Sequence, residues 1–212
     1  AGQSRAASLV RVFTVNPGQG VESRPIRQIQ PFGPRFRGGV TVATADVGTF
    51  AGGSPLSASP DGVAEIIIGS GSGIPAQVRA FNAAPARPVP VGAFRAIAPR
   101  YRGGVSVSKL PGANGLADRV LVAGGRRSGG RVQTWRHNGS RFVHDAAFAA
   151  FGGSTAAVFA AALDADNIFT VEGIGSLRPG VGKNTAPSGG TASQVPQTST
   201  FAPPLRVSVL RS

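Results

Sequence analysis

The fold class this sequence predicts is all-β: about three repeats of a four-stranded antiparallel sheet, followed by an extended C-terminal tail strand. Three observations predict it. Short Val- and Ile-rich runs are punctuated by 31 Gly and 17 Pro among 212 residues, the pattern of many short strands and tight turns. Hydrophobic residues make up 41% and charged residues only 15%, so the chain can bury a core and is not disordered as a whole. Finally, PRFRGGVTVA at residues 34–43 returns as PRYRGGVSVS at residues 99–108, and the segments around it return in the same order.

Each repeat begins with a short alternating strand that ends in an aromatic: Val10-Arg11-Val12-Phe13, Val78-Arg79-Ala80-Phe81, and more loosely Val132-Gln133-Thr134-Trp135. A second strand follows, around Ile26–Ile29 and its equivalents. Next comes an aromatic ahead of paired glycines, Phe36-Arg37-Gly38-Gly39-Val40 and Tyr101-Arg102-Gly103-Gly104-Val105, with Phe151-Gly152-Gly153 read as a decayed third copy. Paired glycines admit positive φ or close backbone approach at little steric cost. The aromatic before them is expected to pack between sheets.

A third strand runs on from the glycines, and the fourth is an apolar run entered through an acidic or Asn-Gly turn. Asp61-Gly62-Val63-Ala64-Glu65 leads into Ile66-Ile67-Ile68-Gly69, and Asn114-Gly115-Leu116-Ala117-Asp118 leads into Val120-Leu121-Val122-Ala123-Gly124. Asp164-Ala165-Asp166 leads into Ile168-Phe169-Thr170-Val171. The repeats thus span about residues 10–77, 78–131 and 132–184, within one repeat β-domain of residues 1–184. The duplicated decamer reads as one turn and strand of a structural unit, not as a duplicated active site.

Residues 185–204 are Ser/Thr/Gly/Pro-rich and nearly chargeless, and read as a linker. Residues 205–212 then form a strand in which Leu205, Val207, Val209 and Leu210 carry the apolar pattern, echoing Leu9-Val10-Arg11-Val12-Phe13. Such a strand must join a sheet, its own first unit or the edge of another copy. The chain opens on Ala1 with no signal-peptide pattern, the start expected of a processed chain or a piece of a longer one.

In their order these motifs resemble the FG-GAP family of repeats, the integrin-α-like and VCBS-type propeller units. The resemblance runs from about residue 5 to about residue 175. It implies radially arranged four-stranded sheets in secreted or cell-surface proteins that bind other macromolecules. It also implies calcium in the acidic loops, because hard cations take several oxygen ligands from one turn. Here the insertion GTFAGGSPLSAS at 48–59 separates Asp46 from Asp61 and Glu65, the three residues that would ligate calcium in the first loop. The other two loops keep only Asn114 and Asp118, and Asp164 and Asp166. No cofactor is therefore expected, and these acids read as turn and strand-start residues. Three units are also too few for a ring of the usual four to eight blades.

The net charge is +13, carried almost wholly by Arg. Arg35, Arg37, Arg100 and Arg102 flank the duplicated aromatics and are the expected contacts for an anion or a partner. An anionic polysaccharide fits that charge; nucleic acid is not the expected partner, since the arginines are scattered. There is no Cys, so neither disulfides nor thiolate metal sites arise. No run approaches the roughly 20 apolar residues of a membrane-spanning helix.

Catalytic patterns are missing as well. His137 and His144 lack ligand spacing, no nucleophile elbow is present, and His137 lies in RHNGS, where Asn138-Gly139 signals a hairpin. The expectation is a non-enzymatic, extracellular or cell-surface structural protein that self-assembles by β-strand addition into an oligomer, filament or layer. The alternative is a ligand-binding module or fragment for glycan or protein adhesion.

Overall fold

The computed structural model of the protein describes residues 7–18, 20–173 and 207–211. Its strands in chain order are β1 (Val10–Val12), β2 (Val15–Asn16), β3 (Gly20–Val21), β4 (Arg27–Ile29), β5 (Val40–Ala45) and β6 (Thr49–Ala51). Then follow β7 (Ser54–Ser57), β8 (Glu65–Ser70), β9 (Gln77–Asn82), β10 (Val89–Arg95), β11 (Val105–Leu110) and β12 (Arg119–Gly124). The last are β13 (Arg131–His137), β14 (Phe142–Ala149), β15 (Val158–Ala162), β16 (Asn167–Glu172) and β17 (Val207–Arg211). No described residue is helical, so no helix here is long and apolar enough to cross a membrane.

All pairing is antiparallel. Two sheets have four strands, in the orders β5-β8-β9-β10 and β11-β12-β13-β14, and a third has β15-β16-β17. β1 pairs with β4 alone, and β2–β3 and β6–β7 are small ribbons. Among the described residues the sheets do not close into a ring. The apolar run of each repeat becomes an interior strand. β8 is buried at every position and β12 at all but its first, because neighbouring sheets cover both their faces.

The sheets cut across the sequence repeats. Each begins at the strand after the paired glycines, takes the apolar run next, and borrows its third strand from the following repeat. The sheets therefore cover residues 40–95 and 105–149, offset by about half a unit from the repeats at 10–77 and 78–131. The offset arises because the tight turns at 71–76 and 125–130 join strands of one sheet, whereas 96–104 and 150–157 cross between sheets.

Registers match from sheet to sheet. Gly69 lies opposite Val78, Ala123 opposite Val132, and Val171 opposite Val207. β1 keeps the same pattern: Val10 faces Ile29 as Val78 faces Phe94 and Val132 faces Phe148. β1 and β4 hence hold the third and fourth places of a sheet, while β15, β16 and β17 hold the first, second and third.

The sheets stack face to face on apolar contacts. Ala45, Ile67, Val78 and Ala80 of the first four-stranded sheet share a core with Val105, Val107, Val120 and Val122 of the second. Leu110, Leu121, Ala123 and Val132 of the second share one with Val158, Ala160, Ala162 and Ile168 of the third. Val10, Val12 and Ile29 of the β1–β4 pair lie against Val40, Ile66, Ile68 and Phe81. Hydroxyls tie successive first strands together. Thr41 Oγ1 donates to the Val105 carbonyl at 3.0 Å, Ser106 Oγ to that of Val158 at 3.2 Å, and Ser108 Oγ to that of Ala160 at 2.7 Å.

The duplicated decamer is structural, and its glycines have separate tasks. Gly39 and Gly104 sit at φ +77° and +79°, in the left-handed region. Their carbonyls accept the amides of Gly71 and Gly125, each at 2.9 Å. A Cβ on Gly71 would lie 1.9 Å from the Gly38 carbonyl oxygen, and one on Gly125 would lie 2.2 Å from that of Gly103. In the third sheet the matching amide, Gly173, bonds to Ala157 at 2.7 Å. The counterpart of the decamer is thus Ser154-Thr155-Ala156-Ala157, not Phe151-Gly152-Gly153. The glycine pair lies upstream and makes the turn that the Ser154 amide closes onto the Phe151 carbonyl at 3.1 Å. Spacing within the repeat is lost there, so the glycine pair no longer marks the start of the first strand.

Gly71→Ala forces backbone apart at the junction of two turns. The expected loss is about 3 kcal/mol of stability, the scale of overpacking against atoms that cannot rotate away. Chemical denaturation checks it, and a loss within error of zero would show that the approach is not tight.

Candidate assembly interface

Asp46, Asp61 and Glu65, the calcium candidates of the first loop, accept backbone amides. Asp46 accepts the amides of Asp61 and Gly62 at 3.3 and 2.7 Å, and Asp61 accepts that of Val63 at 2.9 Å. Glu65 is buried and accepts the Val47 amide at 3.2 Å. Asp118 bridges the first two sheets: its carboxylate accepts the Asp46 amide at 3.0 Å, and its own amide donates to the Asp46 carbonyl at 2.8 Å. Asp164 accepts the Asp166 and Asn167 amides, which hold its carboxyl below the usual range. No group of three acidic or histidine side chains among the described residues is arranged to hold a metal ion.

Of the two histidines, His137 is buried and His144 exposed. His137 is buried against the rings of Phe50 and Phe142, with centroids 5.1 and 5.2 Å away, and burial lowers its pKa. Its Nδ1 accepts the Gly139 amide at 3.2 Å. His144 stands edge-on to Trp135, which itself stacks on Phe94 at 4.2 Å. A shallow cleft of about 290 Å³ lies beside them, lined by Arg95, Ile97, Gln133, Trp135 and His144 among others.

The four predicted arginines are exposed and stand on equivalent loops of successive sheets. Two of them are partly engaged locally. Arg37 Nη1 donates to the Pro34 carbonyl, and Arg102 Nη1 donates to that of Gly73 at 3.2 Å. Between them, Phe36 is buried, and Tyr101 is half-buried with its hydroxyl donating to the Arg126 carbonyl at 3.1 Å. Burial pushes the Tyr101 phenol up to about 12.

The predicted assembly strand is β17. It carries Val207, Val209 and Leu210, while Leu205 lies outside the described residues. β17 joins its own chain's third sheet rather than the first unit, with Val209 opposite Phe169 and Leu210 opposite Ile168.

What sequence reasoning missed is the state of the two ends of the stack. Register puts Phe159 opposite Val171 and Ala161 opposite Phe169, on one face of the third sheet. The equivalent faces of the first and second four-stranded sheets are buried under the next sheet. Here Phe159 is 52% exposed, and Leu163 just beyond the strand is 68% exposed. At the other end the β1–β4 pair covers Ile66, Ile68 and Val40 but leaves Val42 at 47% exposure. The alternating Phe159, Ala161 and Leu163 carried this signal, but counting strands per repeat hid it. Comparison with protein-family models, with curated proteins and with solved structures returns no match.

Burial, with help from Asp46 and Asp61, pushes the Glu65 carboxyl up from 4.5 to about 7, against the pull of the Val47 amide. Between those values the folded chain binds more protons than the unfolded one. The Glu65 contribution is thus fully present below about 4.5 and is lost as pH rises through about 7. Glu65→Gln keeps an acceptor for Val47 without the charge. Melting measured from about pH 5 to about pH 8 is expected to show the variant gaining stability relative to the parent as pH rises. A difference that does not change with pH would contradict it.

Proposed function

We propose that this chain is a structural protein of the cell exterior or surface that associates with copies of itself. The association is by strand and sheet addition between propeller-like units that do not close into a ring among the described residues. One observation carries the reading: each end of the stack presents a face of the kind that every internal junction buries. The third sheet offers the giving face, with Phe159 and Leu163, and the first four-stranded sheet offers the receiving face around Val42. Apolar burial drives such contacts at about 25 cal/mol per Å².

The order of motifs, the matched registers and the meander sheets support an FG-GAP-type origin for the units. The +13 charge suits acidic polymers at the surface as secondary partners.

Phe159→Glu places a charge on the giving face, and the residue is exposed enough for the fold to tolerate it. Light scattering of the parent is expected to give a mass that grows with concentration, and of the variant a mass near 21.4 kDa. A parent that stays at that mass at every concentration, together with a chain shortened by residues 205–212 that does the same, would overturn the reading.

A further inference from the structure

We infer that β17 is a self-capping strand: it fills the place beside β16 that β1 of a second copy would take, so copies join head to tail only when it leaves. The inference rests on the self-association proposed above and specifies its partner.

Strand places supply the first argument. A complete sheet here has four strands, and the described residues form two such sheets. The third sheet supplies the first and second places through β15 and β16, and the β1–β4 pair supplies the third and fourth. The tail of one copy and the head of another therefore add up to one complete sheet, β15-β16-β1-β4, with nothing duplicated. Among the described residues β1 bonds only to β4 within its sheet, and β16 takes β17 instead.

Register supplies the second. Val207 faces Val171 as Val132 faces Ala123 and Val78 faces Gly69, so β17 stands in the third-strand place without a slip. Val10 is the matching residue of β1, fixed by its pairing with Ile29. A second copy would set Val10 opposite Val171, Arg11 opposite Thr170 and Val12 opposite Phe169. The two candidate strands are alike, Val207-Ser208-Val209-Leu210 and Val10-Arg11-Val12-Phe13, each apolar-polar-apolar with a large apolar residue last.

The edge of β1 is suited to the task. Val12 turns its carbonyl to β4, where it accepts the Ile26 amide at 2.8 Å. Alternation along a strand then directs the Arg11 amide and carbonyl to the opposite, open edge. Phe13, next to that edge, is 38% exposed. Docking there would also lay Phe159 and Val171 of one copy over the receiving face of the next, covering Val42. Strand edge and sheet face are satisfied together, which a strand donated alone does not achieve.

The chain has no cysteine, so the cap can be locked by a single engineered pair. Phe169→Cys with Val209→Cys places thiols directly opposite in adjacent antiparallel strands, at the roughly 4.5–5.5 Å Cα separation that a disulfide spans. Light scattering then compares this chain oxidised, the same chain reduced, and the parent shortened by removal of residues 205–212. The expected result is a monomer when oxidised and association on reduction. In the shortened chain, association is strengthened by about tenfold or more, since a cap worth only ~1.4 kcal/mol gives that factor. Arg11→Pro in the shortened chain, which removes the edge amide, is expected to reverse the gain.

If the oxidised and reduced chains associate equally, the cap is not a competitor and the inference falls while the self-association reading stands. If locking and deletion both abolish association, the tail is a donor to another copy, and the inference falls in the same way. If every form remains monomeric, both fall. Should the shortened chain fail to fold, the oxidised and reduced comparison still decides, because both forms retain every residue.

Discussion

The packing of one first strand on the next is what the rest of this molecule depends on. β5, β11 and β15 are set side by side by hydroxyl-to-carbonyl bonds from Thr41, Ser106 and Ser108, flanked by the valines at 105, 107 and 158. That contact fixes the spacing at which Ile67, Val120, Val122 and Leu121 fill the gaps between sheets. It also explains why β8 and β12 lose the alternation of a solvent-facing strand, since their two faces belong to two different cores. Each hydroxyl bond contributes about 1 kcal/mol, and its larger effect is to specify register between sheets that apolar contact alone would leave free to slide.

The same constraint makes the ends of the stack costly. A sheet whose interior strand is apolar on both faces needs two neighbours, and a linear stack leaves one neighbour missing at each end. The first four-stranded sheet meets part of its need with the two strands β1 and β4. The third sheet meets its need at the edge by taking up β17, but its outer face keeps Phe159 in solvent. At β15 the hydroxyl series stops: Phe159 and Ala161 stand where Ser106 and Ser108 stand one sheet earlier. A junction beyond this sheet would therefore be apolar in character, driven by burial and without the hydroxyl bonds that set register at the internal seams.

Much of the fold was legible in the sequence, because glycines and apolar runs report backbone demands directly. The decamer with Gly38-Gly39 and Gly103-Gly104, the runs at 66–69 and 120–124, and the Val-x-x-aromatic strands all became the elements expected of them. What the repeat could not show was where a sheet begins, since periodicity has no origin; only hydrogen bonding reveals that turns at 71–76 and 125–130 lie inside sheets. The third repeat was misaligned because Ala157 does without the glycine that marks the site in the other two. The acidic loops illustrate a different limit. Asp46, Asp61 and Asp118 read in sequence as turn and strand-start residues, but that Asp46 and Asp118 accept amides from a distant turn and from the neighbouring sheet follows only from the folded chain. The tail strand was recognised for its alternation and its likeness to residues 9–13, but its place beside β16 follows from a register that no local pattern encodes.

The open edge of β1 is the proposed joining surface between copies. Amide hydrogen exchange at Arg11 tests this most directly, in the chain shortened by removal of residues 205–212 and across a range of concentration. Fast exchange is expected when dilute and strong protection when concentrated, while the β8 amides remain protected throughout. Fast exchange at Arg11 at every concentration, with β8 still protected, would contradict it.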